Sequence, residues 1–125
     1  MTNRELLDMA RETSERAYSP YSKVKVGAVL ETESGKLYTG VNVENSSYGG
    51  TICAERTAVV KAVSEGERKF ARIAVAGSIK NLVPCGLCRQ FISEFNPSIE
   101  VIYEDKDGNM VETNLEKLFP CGFSL

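Results

Sequence analysis

Hydrophobic residues along the chain alternate between helical and strand spacing, and this pattern predicts nine structural elements. Three stretches carry apolar or small residues every three or four positions, as the buried face of an amphipathic helix requires. Their stripe residues are Leu6, Ala10, Thr13 and Ala17; Ala54, Ala58 and Ala62; and Leu87, Phe91 and Phe95. Five shorter apolar runs predict strands over 24–30, 37–43, 73–76, 99–103 and 110–113. A short fourth helix is predicted near 114–118.

Cap and turn residues mark the ends of these helices. Thr2 and Glu5 have the spacing of a capping box at the start of the first helix. Pro20 disfavours helical geometry in the residue before it, so this helix is expected to stop near position 18. Thr51 is predicted to cap the second helix and Gly66 to end it.

The element order is therefore α-ββ-α-β-α-ββ-α. Helices interleaved with strands predict an α/β domain with helices on both faces of a sheet. The 125 residues fit one domain, residues 1–125, which is long enough to bury a core without disulfides. We therefore expect a single α/β domain.

Composition narrows the possible functions. Hydrophobic residues make up 42% and charged residues 26%, with a net charge of -2 and no basic stripe, which argues against a polynucleotide ligand. No N-terminal stretch resembles a signal peptide, and no apolar run approaches the ~20 residues that span a bilayer. These features predict a cytoplasmic protein that does not bind membranes.

Cysteine is the residue type that carries the candidate chemistry. In a reducing cytosol, the four cysteines are expected to be ligands or nucleophiles rather than disulfide partners. The chain has no histidine, which removes the commonest zinc ligand and the commonest general base. Acid–base chemistry must therefore use carboxylates, and a transition-metal site must be rich in thiolates.

Three of the cysteines have a spacing that predicts a metal site. Cys85 lies 32 positions after Cys53, and Cys88 follows three positions later. Cys53 and Cys85 both open predicted helices, where unpaired N–H groups and the helix dipole stabilise thiolates. Three thiolates around one Zn²⁺ leave the fourth tetrahedral position open, which is typical of a catalytic site.

Two residues that follow Cys53 are candidates for supporting roles. Glu55 lies in the first helical turn, where its carboxylate can exchange protons with a water at the metal without binding the metal. Arg56 is predicted to donate hydrogen bonds to the cysteine sulfurs and to draw negative charge away from them.

These motifs resemble the signature of the zinc-dependent cytidine and deoxycytidylate deaminases. The matching metal segments are Cys53-Ala54-Glu55 and Pro84-Cys85-Gly86-Leu87-Cys88. The first ligand position is a cysteine, and in this respect the chain resembles the branch of the family that acts on free cytidine. The likeness extends over about residues 5–123 and includes residues 17–23, 40–45, 47–49, 51–57 and 88–90.

The resemblance implies a fold, a reaction and a set of site residues. It implies a three-layer α/β/α fold around a mixed five-stranded sheet, one zinc per chain, and hydrolytic deamination of cytidine and deoxycytidine in pyrimidine salvage. By matching position, Cys53, Cys85 and Cys88 would bind zinc, and Glu55 would be the proton shuttle. The residues implied to contact the nucleoside are Asn42 and Glu44 on the ribose, the Ala54 backbone on the base, and Val24 where relatives usually have Phe.

The same resemblance implies an assembly. Short chains of this family usually form homotetramers with active sites shared between subunits. Tyr48 and Phe123 would then reach the site of a neighbouring subunit.

Three other interpretations remain open from the sequence. A blasticidin S deaminase is related and acts on an antibiotic that carries cytosine, and residues 99–123 have some likeness to it. A C-x-x-C pair that opens a helix is also typical of thioredoxin-like redox proteins. A structural Cys₄ zinc site would use Cys121 as its fourth ligand.

Overall fold

Five strands form one mixed sheet through the middle of the molecule in the computed structural model, which describes residues 1–125. The strands are β1 (Val26–Thr32), β2 (Leu37–Val41), β3 (Phe70–Gly77), β4 (Glu100–Glu104) and β5 (Met110–Asn114). Their spatial order is β2-β1-β3-β4-β5. Only β3 and β4 pair in parallel, and the other neighbours are antiparallel.

Four helices cover the two faces of this sheet. They are α1 (Asn3–Ser14), α2 (Ala54–Ser64), α3 (Gly86–Ser93) and α4 (Leu115–Leu118), and a single 3₁₀ turn spans Tyr48–Gly50. Helix α1 packs on one face, whereas α2, α3 and α4 contribute to the core on the other. This confirms the predicted three-layer α/β/α arrangement. None of the four helices has the length and apolar character needed to cross a bilayer.

Strand alternation explains how one sheet serves two cores. Along β1, Ala28 and Leu30 point into the core beneath α2 and α3, whereas Val29 points towards α1. All three are completely buried. Since neighbouring side chains of a strand point to opposite faces, an unbroken apolar run is what a sheet covered on both sides requires.

Gly40 on β2 brings α2 close to the sheet. A Cβ atom at this position would collide with the carbonyl oxygen of Ala54 and the backbone nitrogen of Ala58. Glycine therefore lets the first turns of α2 lie directly against β2. This contact places the start of α2 beside the end of β2, where the candidate site is formed.

Two predicted boundaries were wrong, and long-range pairing explains them. Helix α1 stops at Ser14 rather than near position 18, because Tyr18 pairs its backbone with Asn42 and Glu44. Strand β2 stops at Val41 and not at 43, and Val43 then forms isolated bridges to Tyr18 and Ile52.

The predicted details of α2 and α3 also need correction. Cys53, rather than Thr51, is the N-cap of α2. In α3 the buried face consists of Cys88 and Ile92, whereas Leu87 is exposed. The apolar stripe predicted from Leu87 therefore lies one position away from the fully buried face, because the thiol of Cys88 is itself buried.

Glu31 and Arg72 form a cross-strand ion pair whose contribution should depend on pH. Arg72 donates to both carboxylate oxygens of Glu31 at 2.6 and 2.9 Å, and hydrogen bonding from Arg72 holds the pKa of Glu31 below its ordinary value. We expect Glu31→Gln to lower the free energy of unfolding by about 1 kcal/mol at neutral pH. A depressed carboxyl pKa stabilises above the unfolded value, so the deficit should shrink as pH falls through the lowered pKa.

Urea denaturation of the wild type and of Glu31→Gln over a pH series measures the difference in their free energies of unfolding. The control is Glu33→Gln, because Glu33 is exposed and forms no ion pair. A deficit in Glu31→Gln that stays constant down to strongly acid pH would contradict the assignment of the effect to the ionised carboxylate.

Candidate active site

A cavity of about 270 Å³ opens where four segments meet. These are the residues before β1, the end of β2, the start of α2 and the loop before α3. Its wall includes Cys53, Cys85 and Glu55, together with Asn42 and Glu44. Residues up to 63 positions apart thus meet in a single site. They meet because the sheet places β1 beside both β2 and β3.

Three thiols converge at one end of this cavity. Cys53 is the N-cap of α2, Cys85 is the N-cap of α3, and Cys88 lies in the first turn of α3. Their Sγ atoms all lie within 4.8 Å of one another, with 3.8 Å between those of Cys53 and Cys85. The backbone N–H of Cys88 points at the Cys85 sulfur at 3.5 Å. The two helix starts are therefore adjacent, as the sequence predicted.

The dimensions and charges of this cluster fit a zinc ion. Zn–S bonds of about 2.3 Å at tetrahedral angles place two sulfurs about 3.8 Å apart. Hydrogen bonding with Cys88 and with Arg56 lowers the pKa of Cys53 to about 5 against the effect of burial. The hydrogen bond to Cys53, burial and the charge of Glu55 raise the pKa of Cys88. Adjacent thiolates repel one another, so all three can ionise only around a cation.

Arg56 is the cation that accompanies the cluster. Its Nη2 atom lies 3.7 Å from the Cys53 sulfur and 3.3 Å from the Thr51 carbonyl oxygen. Its Nε atom is buried and has no partner within the chain. This placement agrees with the predicted role of Arg56 as a donor to the cysteine sulfurs, which compensates part of the negative charge of three thiolates.

Glu55 places a carboxyl group in the wall of the cavity, next to the thiols. The residue is only 4% exposed and belongs to the first turn of α2. Burial raises the pKa of Glu55 to about 7, and the negative charge of Cys53 adds to this rise. A buried carboxyl group that opens onto a cavity is suited to proton exchange with a ligand held there.

Asn42 and Glu44 contribute polar side chains to the wall of the cavity. They flank the bridge residue Val43, so their side chains share one side of the chain as predicted, although β2 has already ended. The Asn42 amide accepts from Val26 N at 2.8 Å and donates to Val24 O at 2.9 Å. Asn42 therefore holds the entry to β1 in place while it lines the cavity.

Ser22 is a site residue whose role could not be predicted from the sequence. Its hydroxyl donates to one oxygen of Glu44, and the backbone N–H groups of Tyr21 and Ser22 donate to the other at 2.9 and 3.1 Å. These bonds hold the pKa of Glu44 below its ordinary value. No local signal links Ser22 with Glu44, because they are 22 positions apart and meet only through the Tyr18–Val43 bridge.

The remaining wall of the cavity is aliphatic. Val24 and Ala54, both predicted to contact the nucleoside, lie in this wall together with Val26, Ile52 and Leu82. No aromatic ring of the same chain contributes to the wall. The cavity therefore offers apolar contact to a flat ligand without a stacking partner from its own chain.

Two predicted contact residues, Tyr48 and Phe123, lie outside this cavity. Tyr48 is 77% exposed, and its ring packs edge-on against Tyr21 at 5.9 Å between centroids. Phe123 is 69% exposed, and its backbone pairs with the Gln90 side chain through bonds of 2.9 and 3.0 Å. Within a single chain neither ring covers the site. Cys121 is also outside the thiol cluster.

Comparison with known proteins agrees with this geometry. Residues 1–104 match the family model described as the cytidine and deoxycytidylate deaminase zinc-binding region. A protein of Dictyostelium discoideum called a probable cytidine deaminase is 49% identical over 120 residues, which cover 94% of this chain and 81% of that protein. A blasticidin-S deaminase of Bacillus cereus is 33% identical, covering 96% of this chain and 91% of that protein.

A solved structure has the same fold over almost the whole chain. The crystal structure of cytidine deaminase from Burkholderia pseudomallei superposes with a TM-score of 0.91 at 44% identity, and the match covers 98% of this chain and 100% of that one. Three thiols in a zinc-compatible cluster, a buried carboxyl group beside them and a family match over the segments that carry them lead to one conclusion. The chain belongs to the zinc-dependent cytidine and deoxycytidylate deaminase family.

Proposed function

We propose that this protein hydrolyses cytidine and deoxycytidine to uridine and deoxyuridine with release of ammonia. The observation that carries the proposal is the buried Glu55 carboxyl group next to three clustered thiols, in the wall of a small apolar cavity. The similar proteins from Dictyostelium discoideum and Burkholderia pseudomallei, which are named as cytidine deaminases, support this substrate class.

Cys53, Cys85 and Cys88 are the residues that would hold the zinc ion. When bound, zinc acts as a Lewis acid and makes water a stronger nucleophile near neutral pH. Arg56 donates to the Cys53 sulfur and so reduces the electron density that the thiolates place on the metal. The three ligands come from two helix starts, and three protein ligands would leave one position of a tetrahedral zinc ion for the reacting groups.

Glu55 moves the protons of the reaction. It takes one proton from the water that attacks C4 of the cytosine ring and delivers it to N3. It then takes the remaining proton from the hydroxyl group now on C4 and gives it to the amino group on the same carbon. The C4–N bond breaks as the C4=O double bond forms, and ammonia is released. The side chain returns to its starting state, so one carboxyl group serves both steps. Burial of Glu55 keeps bulk water away from these transfers.

Asn42 and Glu44 would hold the sugar. Glu44 keeps a fixed orientation because Ser22 and Tyr21 saturate much of its hydrogen-bonding capacity. A sugar hydroxyl can donate to the remaining lone pairs of this carboxylate in a charge-assisted bond. Cys53, Cys85 and these two residues line the same cavity, which matches a ligand with a reactive base and a polar sugar.

Glu44→Gln should weaken nucleoside binding. Loss of one charge-assisted hydrogen bond is expected to raise KM for cytidine about tenfold or more, with a smaller change in kcat. Blasticidin S lacks a ribose, so any turnover of it should change much less. Steady-state kinetics with both substrates make the comparison. Equal losses on both would remove Glu44 from sugar recognition.

A direct assay distinguishes the proposed reaction from its alternatives. The purified zinc-loaded protein is incubated with cytidine, deoxycytidine, cytosine, cytidine monophosphate and blasticidin S, and loss of the cytosine absorbance is followed together with ammonia release. We expect turnover of the two nucleosides above all others. Preference for blasticidin S would favour a second candidate function, deamination of that antibiotic. The 33% identical blasticidin-S deaminase of Bacillus cereus supports this candidate.

We further propose that the protein works as a homotetramer in the cytoplasm, within pyrimidine salvage. The cavity lacks an aromatic wall, while Tyr48 and Phe123 are exposed on the same chain. A ring supplied by a neighbouring subunit would close the cavity over the base and exclude water. Free thiols at the site and on Cys121 suit a reducing compartment.

Mixed oligomers test whether sites are shared between chains. Glu55→Gln has an impaired acid–base group and an intact tail, whereas Phe123→Ala has an intact metal site and no tail ring. We expect each protein alone to be nearly inactive. After co-refolding, activity should rise above both parents, because some sites combine the intact parts. Lack of rescue in mixtures shown by mass to contain hybrids would mean that Phe123 does not act across subunits.

A further inference from the structure

The loop that delivers Cys85 to the metal site has little support of its own. It follows β3, and its last backbone-to-backbone hydrogen bonds are made by Ser78 and Asn81. Leu82, Val83 and Pro84 form no backbone-to-backbone hydrogen bond. Cys85 must nevertheless place its sulfur 3.8 Å from that of Cys53. Cys85 itself is held as the N-cap of α3 and Leu82 packs against the core, so a contact to the backbone between them would complete the support of this segment.

Arg89 is the residue that fixes it. Its Nε atom donates to the Pro84 carbonyl oxygen at 2.7 Å, and its Nη1 atom donates to the Leu118 carbonyl oxygen at 2.8 Å. The Pro84 carbonyl belongs to the planar peptide unit that also contains the backbone nitrogen of Cys85. Holding this oxygen therefore holds the orientation of the residue whose sulfur faces the metal site.

The other end of the Arg89 bridge is itself well anchored. Leu118 is the last residue of α4, and Leu115 at the start of that helix is completely buried. The backbone N–H of Leu115 also donates to Ile99 O at 2.9 Å. The guanidinium group is a rigid fork, so it connects the two carbonyl oxygens at a set distance. Arg89 thus transfers the position of α4 to the loop before Cys85.

We propose that Arg89 is a positioning residue of the zinc site, and that retention of zinc depends on α4 although this helix supplies no ligand. The proposal rests on the zinc site assigned above and not on the identity of the substrate. Groups that orient metal ligands typically change metal affinity by about 10- to 100-fold when they are lost.

Zinc release from the full-length protein tests this role without any nucleoside. The zinc-loaded protein is mixed with a chromogenic chelator, and the rate of metal transfer is measured. Arg89→Met keeps most of the side-chain stem and removes every donor, and we expect release to accelerate about tenfold or more. Arg89→Lys should fall between the two, because an ammonium can reach one carbonyl but cannot bridge both in the same geometry. If Arg89→Met does not fold, Arg89→Lys alone tests the proposal.

Arg68→Met is the matched control. Arg68 lies just beyond the end of α2 and also donates to two backbone carbonyl oxygens, those of Val63 at 2.8 Å and Glu67 at 2.9 Å. Its loss should leave zinc release unchanged. Wild-type release rates in both Arg89 variants would overturn the proposal, and so would equal acceleration in Arg68→Met, which would reflect general destabilisation. A protein that binds zinc normally but fails to deaminate cytidine would contradict only the proposed function.

Discussion

Glu55→Gln is expected to lower kcat for cytidine about 100-fold or more while the protein keeps its zinc. The amide preserves the size of the side chain and most of its hydrogen bonding, but it cannot take a proton from water or return one to the ring. General acid–base groups contribute about 10² to 10⁴ in rate, and Glu55 is the only buried carboxylate in the cavity wall. Steady-state kinetics and metal analysis on the same preparation measure both quantities.

Glu65→Gln provides the control for this experiment. Glu65 follows the same helix as its C-cap and is exposed, so its substitution changes the charge of α2 without touching the cavity. We expect it to retain full activity. Near-normal turnover by Glu55→Gln would refute the proton-shuttle role. Loss of zinc from that variant would instead show that Glu55 helps to bind the metal.

Cys53→Ser is expected to lose nearly all of its zinc, and with it all activity. Serine is similar in size but ionises far less readily than a thiol and is a poor zinc ligand, so two thiolates would remain where a stable site needs three. Elemental analysis of the purified variant should fall from one zinc per chain to close to none.

The contrasting variant is Cys121→Ser. Cys121 is exposed and lies outside the thiol cluster, so its replacement should leave the zinc content unchanged. Loss of metal from Cys121→Ser would favour a structural site with four cysteines. Retention of a full zinc complement by Cys53→Ser would show that the metal is bound elsewhere.

The chemistry of the site could be predicted from the sequence because its signals are local. Cys53 and Glu55 lie in one helical turn, and Cys85 and Cys88 lie in another, so each pair is positioned by the geometry of its own helix. The absence of histidine restricts the metal ligands to thiolates without any knowledge of the fold. The strands were also predicted correctly in number and order along the chain, since alternation is a short-range property.

Contacts between distant segments were decided only by the tertiary structure. The strand order β2-β1-β3-β4-β5 determines that the two helix starts meet, and no residue pattern within a single element encodes that order. Backbone pairing of Tyr18 with residues 42–44 ends α1 early and brings Ser22 to Glu44. The Arg89 bridge from Pro84 to Leu118 likewise joins segments 34 positions apart.

The sequence by itself therefore determined which groups are the candidates for the chemistry, and the tertiary structure decided how they are held. The proposed zinc ligands and the proposed proton shuttle follow from residue type and from spacing within a helical turn. Their surroundings depend on Ser22 and Arg89, whose partners are a carboxylate and two backbone carbonyls, and on the packing that brings distant segments together. Every residue type has a backbone carbonyl, so a hydrogen bond to a carbonyl does not depend on the residue type that carries it. A contact such as that of Arg89 with Pro84 and Leu118 therefore cannot be predicted from the sequence.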